Sequence, residues 1–272
     1  MKRFRYTCRT MIRNTLLAFS LVGALCLTPA VAQSVTTAAP ISGFEAASRL
    51  RAMPQRLSKL YLQTRLNVDR ETSQLRLEEG IRQFDTMLAQ LQRNRLEGSA
   101  RRNLERLEGQ WADMRNTLRQ PPSDALSQRL GSEAEQLALG AQRLTLQLES
   151  PDESSANRLA ELALRNDMLA QRLARLYMQL KAGVNTTSHY VDMEQTRKEF
   201  LTTLRELGSA PQSAGSASRN LELVRQQWSF FEQAVMERNW DERAVRNVAT
   251  TSERISQVMN ELAQSYRRAP GA

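Results

Sequence analysis

The feature that most limits what this chain can fold into is an internal repeat of about 117 residues, because a repeated unit must build the same local structure twice. Gln55-Arg56-Leu57-Ser58-Lys59-Leu60-Tyr61-Leu62-Gln63 returns as Gln171-Arg172-Leu173-Ala174-Arg175-Leu176-Tyr177-Met178-Gln179. The same offset of 116 aligns Glu45 with Glu161, Arg49 with Arg165, Phe84 with Phe200 and Leu88 with Leu204. One inserted residue later, Arg102-Asn103-Leu104 meets Arg219-Asn220-Leu221, and Gln110-Trp111 meets Gln227-Trp228.

Each copy reads as four helices. Leu50, Met53, Leu57, Leu60 and Tyr61 recur at three-and-four spacing over 43–65, the period of an amphipathic helix. A polar turn over Asn67–Thr72 leads to a second helix with Leu77, Ile81, Phe84, Leu88 and Leu91 inward. A third carries Leu104, Leu107, Trp111 and Met114. Pro121-Pro122 ends it, since proline donates no backbone hydrogen bond, and Ser123 or Asp124 caps a fourth. In the second copy, Ser150-Pro151-Asp152-Glu153 reads as a helix start. Val248, Ile255 and Leu262 step by seven along its last helix. The expected fold is all-α: two tandem antiparallel, four-helix-bundle-like repeats at 43–149 and 150–268. The polar turns leave open whether the first two helices of each copy are continuous.

The start of the chain points to export. Lys2, Arg3, Arg5, Arg9 and Arg13 precede an apolar run from Leu16 to Leu27 and a small-residue pattern at Ala30-Val31-Ala32. This is the order of a secretory signal peptide, 1–32, cleaved after Ala32 to give a periplasmic protein. Retention as an anchor is the alternative. Residues 33–42 read as a flexible mature N-terminus and 269–272 as a tail. The mature chain keeps 33 Lys+Arg against 29 Asp+Glu, a formal +4 rather than +9. That balance does not suggest a nucleic-acid partner. Both cysteines, Cys8 and Cys26, lie in the leader, so the mature chain has no disulfide or thiolate chemistry. The single histidine, His189, leaves zinc sites and Ser-His-Asp catalysis without their usual parts. No catalytic residue, metal site or cofactor is expected, nor a membrane span in the mature chain.

The stretch Ser48-Arg49-Leu50-Arg51-Ala52-Met53-Pro54-Gln55-Arg56-Leu57, with Trp111 and Trp228 downstream, resembles the N-terminal domain of type IV pili methyl-accepting chemotaxis transducers (PilJ-type). That family is related to the periplasmic domains of nitrate/nitrite sensor kinases. The resemblance implies a ligand-sensing helical domain in which Arg51 binds an anion and Arg56 is the later motif arginine. Two departures stand out: Pro54 replaces a small residue, and Asp167 occupies the Arg51 position of the second copy.

The residues themselves support Arg51, Gln55, Arg49 and Arg56 as candidate ligand contacts, because guanidinium groups offer paired donors to flat oxyanions. A structural role is the competing reading: Arg49 and Arg56 recur as Arg165 and Arg172 and suit ion pairs with neighbouring helices. Trp111, Trp228, Tyr61 and Tyr177 read as core. No output domain is expected within the chain. The expected function is therefore a non-enzymatic periplasmic ligand-sensing module that relays through a partner. The alternative is a structural envelope protein docking on a membrane or pilus-related partner. Expected partners are a small anion such as nitrate or nitrite, an envelope signalling protein, and a second copy in a homodimer.

Overall fold

The computed structural model describes residues 42–149, 154–184, 187–236 and 241–268. The leader with its cleavage site, the helix start at Ser150–Glu153, Trp240 and the 269–272 tail lie outside the described residues. Among the described residues the chain is all-α, with no strand.

The first half contains α1 (Gly43–Leu50), α2 (Ala52–Arg65), α3 (Arg70–Arg93), α4 (Gly98–Leu118) and α5 (Asp124–Leu148). The second contains α6 (Ser155–Lys181), α7 (Thr187–Ser209), α8 (Ser216–Met236) and α9 (Glu242–Arg267), with a short 3-10 turn at Pro211–Ser213. The predicted first helix is interrupted at Arg51. Pro54 lacks the N–H that would bond the Leu50 carbonyl, so the helix restarts there. α2 and α3 are not continuous either: Asn67 (φ 58°) and Asp69 (φ 43°) turn the chain through left-handed backbone. Ser123 caps α5 by accepting from the Leu126 N–H, and Ser154 caps α6 by accepting from Asn157.

Two hydrophobic clusters divide the core. One is built from residues between Ala46 and Leu144, the other from residues between Leu159 and Tyr266 together with Leu62 and Val68. The seven-residue seams are fully buried in both: Leu130, Leu137 and Leu144 on α5, and Val248, Ile255 and Leu262 on α9. Phe84 stacks on Trp111 at 3.9 Å between centroids, and Phe200 on Trp228 at 4.0 Å. The indoles are core, as their spacing predicts. Each keeps one polar tie: Trp111 Nε1 donates to Asp85 and Trp228 Nε1 to Glu232.

The two halves meet along α2 and α6. These run side by side in the same direction, as Arg51 pairs with Glu161 near their starts and Arg65 donates to the Ala182 carbonyl at their ends. α2 also packs on α3 and α5, and α6 on α7 and α9. Such central helices are covered on nearly every side, so their polar residues are enclosed rather than solvated.

Candidate functional site

The enclosed polar residues form a seam with the helical four-residue step. Gln55, Lys59 and Gln63 lie on α2; Gln171, Arg175 and Gln179 lie on α6; all six are buried. Gln55 Oε1 accepts from Arg175 Nε at 2.6 Å, and Gln179 Nε2 donates to the Ser127 carbonyl at 3.0 Å. Buried cations need partners, and each half takes its carboxylate from the other. Arg56 and Lys59 converge on Glu253 of α9, with Arg56 Nη2 at 2.7 Å and Lys59 Nζ at 2.6 Å. Arg172 donates to Glu135 of α5 at 2.8 Å, and Arg175 joins it on the same oxygen.

The electrostatics follow from burial. Desolvation lowers the pKa of Lys59 despite Glu253, and it brings Arg175 down to about 10 despite Glu135. For Glu253, burial favours the neutral acid, but Lys59 and Arg56 outweigh it and hold the carboxyl well below the ordinary glutamate value.

The four candidate ligand residues separate. Arg51 is 1% exposed and Gln55 is fully buried. Arg51 donates from Nη1 to Gln142, from Nε to the Ser48 carbonyl at 3.2 Å, and pairs through Nη2 with Glu161. The position that the resemblance assigns to an anion is thus filled by the protein's own carboxylate. Gln55 is spent on Arg175 and on the Ala134 carbonyl. Arg49 and Arg56 instead line one cleft of about 360 Å³, near the lower end of small-molecule sites. Arg56 has the ion pair on a neighbouring helix that the structural reading expects. Arg49 pairs with Glu45 on its own helix, 2.8 Å away, and Arg267 of α9 shares that carboxylate at 3.0 Å.

Both halves build the cleft. Arg49, Met53, Arg56 and Met87 come from the first; Asp167 and Asn260 come from the second. Asp167 is 5% exposed, and burial raises its pKa to about 6 even though Ser256, Asn260 and Arg56 favour the ionised form. Asn260 Nδ2 donates to its Oδ2 at 2.7 Å, while Oδ1 has no hydrogen-bond partner. Nη1 of Arg49 and of Arg56 likewise makes no bond among the described residues, since their pairs use Nε and Nη2.

In the sequence Asp167 stands out only as a departure from the repeat, and the polar seam is not singled out. A signal for the seam was present: glutamine, a cation and glutamine four apart, in both copies, on helices otherwise rich in leucine. Among the described residues, no group of His, Cys, Asp and Glu has metal-binding geometry, and no helix is long and apolar enough to cross a membrane. Comparison with protein-family models, curated proteins and solved structures gives no match.

Proposed function

We propose that the protein is a non-enzymatic, periplasmic ligand-sensing module made of two tandem copies of one antiparallel helical unit, which passes its signal to a separate envelope partner. One observation carries this reading. Asp167 is buried, lacks a partner at Oδ1, and lies on the wall of a cleft built by both halves. A buried polar atom left unsatisfied is costly unless something outside the chain completes it. A ligand in that cleft touches α1, α2, α3, α6 and α9 at once and therefore couples the two halves. The signal-peptide-like order of residues 1–32 and the resemblance to chemotaxis transducers support the periplasmic setting. The resemblance also brings in nitrate and nitrite as candidates, with Arg49 and Arg56 in place of the enclosed Arg51.

A thermal-shift screen of residues 33–272 against small anions, amines and amino acids tests the reading. A ligand at 100 times its Kd adds about 2.7 kcal/mol, a shift of a few degrees. The shift should vanish in Gln257→Trp, which places an indole at the exposed edge of the cleft. No stabilising ligand, or one indifferent to that substitution, counts against the cleft.

A second reading, a structural envelope protein that docks on a partner, draws on Leu139 and Leu146. They lie seven apart on α5 and are 55% and 58% exposed. Co-purification of a stable partner, lost in Leu139→Ser/Leu146→Ser, supports it.

A further inference from the structure

The two halves differ most at one pair of equivalent positions. In the first, Arg51 bonds Gln142 and pairs with Glu161. In the second, Asp167 stands at the Arg51 position and Asn260 at the Gln142 position, 118 residues on, and they too are bonded. The same offset of 118 relates Glu135 to Glu253 and the α5 seam to the α9 seam, so these are corresponding places in the fold. On one side, a guanidinium fills the space and meets a carboxylate. On the other, a short carboxylate has replaced the guanidinium. Asp167 lines the cleft beside Ser256, and its Oδ1 is buried without making a hydrogen bond.

The hydrogen-bonding groups that remain define a complement. One acceptor makes no hydrogen bond, Asp167 Oδ1, and neither do two donors, Nη1 of Arg49 and Nη1 of Arg56. The charges around them nearly balance. Arg56 and Lys59 face Glu253 and Asp167; Arg49 and Arg267 face Glu45; Glu261 lies at the edge. A bare anion would satisfy the arginines and leave Asp167 repelled. A bare cation would do the reverse. A zwitterion satisfies both without adding net charge to a desolvated place. Met53 and Met87 supply an adaptable apolar wall for the rest of such a molecule.

We infer that the cleft takes a small zwitterion of the α-amino acid class, its ammonium on Asp167 Oδ1 and its carboxylate on Nη1 of Arg49 and Arg56. This rests on the cleft being the ligand site, as proposed above. Burial that lifts Asp167 to about 6 still leaves it ionised at pH 7.5, ready for an ammonium group.

The test titrates residues 33–272 at pH 7.5, by thermal shift and calorimetry, with each standard L-amino acid. The best binder is then compared with its decarboxylated amine, its deaminated acid and sodium nitrate. The zwitterion should bind at least about tenfold more tightly than either half-molecule, since losing a charged hydrogen bond costs about 1.4 kcal/mol or more. Asp167→Asn should weaken the amino acid and the amine tenfold and leave the acid unchanged. Arg49→Gln should weaken the amino acid and the acid and spare the amine. Far-UV circular dichroism confirms that both variants fold. Amino acid binding indifferent to Asp167→Asn overturns the inference. If nitrate or the acid binds best and Gln257→Trp abolishes it, the cleft reading stands and the zwitterion falls. If no probe binds, both fall.

Discussion

Glu253 of α9 receives a forked pair of hydrogen bonds from Arg56 of α2, with Nε to Oε1 at 3.0 Å and Nη2 to Oε2 at 2.7 Å. The same carboxylate takes Lys59, which is fully buried. Arg172 and Glu135 make the corresponding contact in the opposite sense. The interface between the halves is therefore an exchange: each half's first long helix supplies cations, and the other's last helix supplies the carboxylate.

Removing that carboxylate strands Lys59. Glu253→Gln is expected to cost about 3–5 kcal/mol, because an unpaired buried charge is far more costly than the pair it replaces. The double variant Glu253→Gln/Lys59→Met should recover most of the loss. Urea unfolding of the single and double variants measures both.

The two carboxyls near this interface respond to pH in opposite directions. Glu253 is held below its ordinary value by Lys59 and Arg56. Its contribution is present above the unfolded glutamate value and is lost as pH falls further, through the folded one. Asp167 is raised from 3.8 to about 6 by burial. Between those values the folded state binds the extra proton, so this group makes the protein less stable as pH rises from 4 to 6. Asp167→Asn should therefore stabilise the ligand-free protein at pH 7.5 by about 2–3 kcal/mol. The gain should disappear below about pH 4. Denaturation midpoints across this range decide it; a gain that persists at pH 4 would count against the shift.

The stacked pairs should be energetically equivalent. Trp111→Leu and Trp228→Leu are each expected to destabilise by about 2–4 kcal/mol, since both indoles are buried. Double-mutant cycles with Phe84→Leu and Phe200→Leu should give couplings of about 0.5–1.5 kcal/mol in each half.

Two helical glycines should respond in opposite ways to alanine. A Cβ at Gly131 of α5 would lie 2.4 Å from Gln179 Nε2, which bonds the Ser127 carbonyl in the seam. Gly131→Ala is expected to destabilise by about 1–3 kcal/mol. A Cβ at Gly109 of α4 meets nothing within 4 Å. Gly109→Ala should stabilise by about 0.5–1 kcal/mol through backbone entropy. Thermal unfolding of the two variants separates the cases.

Local chemistry made much of the fold legible. The three-and-four spacing of Leu50, Met53, Leu57 and Leu60 marks a buried face wherever that helix packs, and all four are buried. Pro54 marks the break at Arg51, and Pro121-Pro122 with Ser123 marks the boundary of α5. The candidate site was legible only in part. Arg49 and Arg56 share the cleft, whereas Arg51 and Gln55 turn inward. Spacing of seven places Arg49 and Arg56 on one stripe, but it does not say which stripe faces another helix.

The sequence by itself determined that this chain is helical, that stretches of its two halves match at a fixed offset, and that they differ at Arg51 and Asp167. Periodicity, capping and proline act within a few residues, so they can be read along the chain. Only the tertiary structure decided that Arg51 meets Glu161, that Arg56 meets Glu253 197 residues away, and that Asp167 is buried with an oxygen that makes no hydrogen bond. Those outcomes depend on how α2 and α6 lie against each other and on α9. A buried charge is matched by whatever the packing brings within hydrogen-bond reach, whatever its distance along the chain.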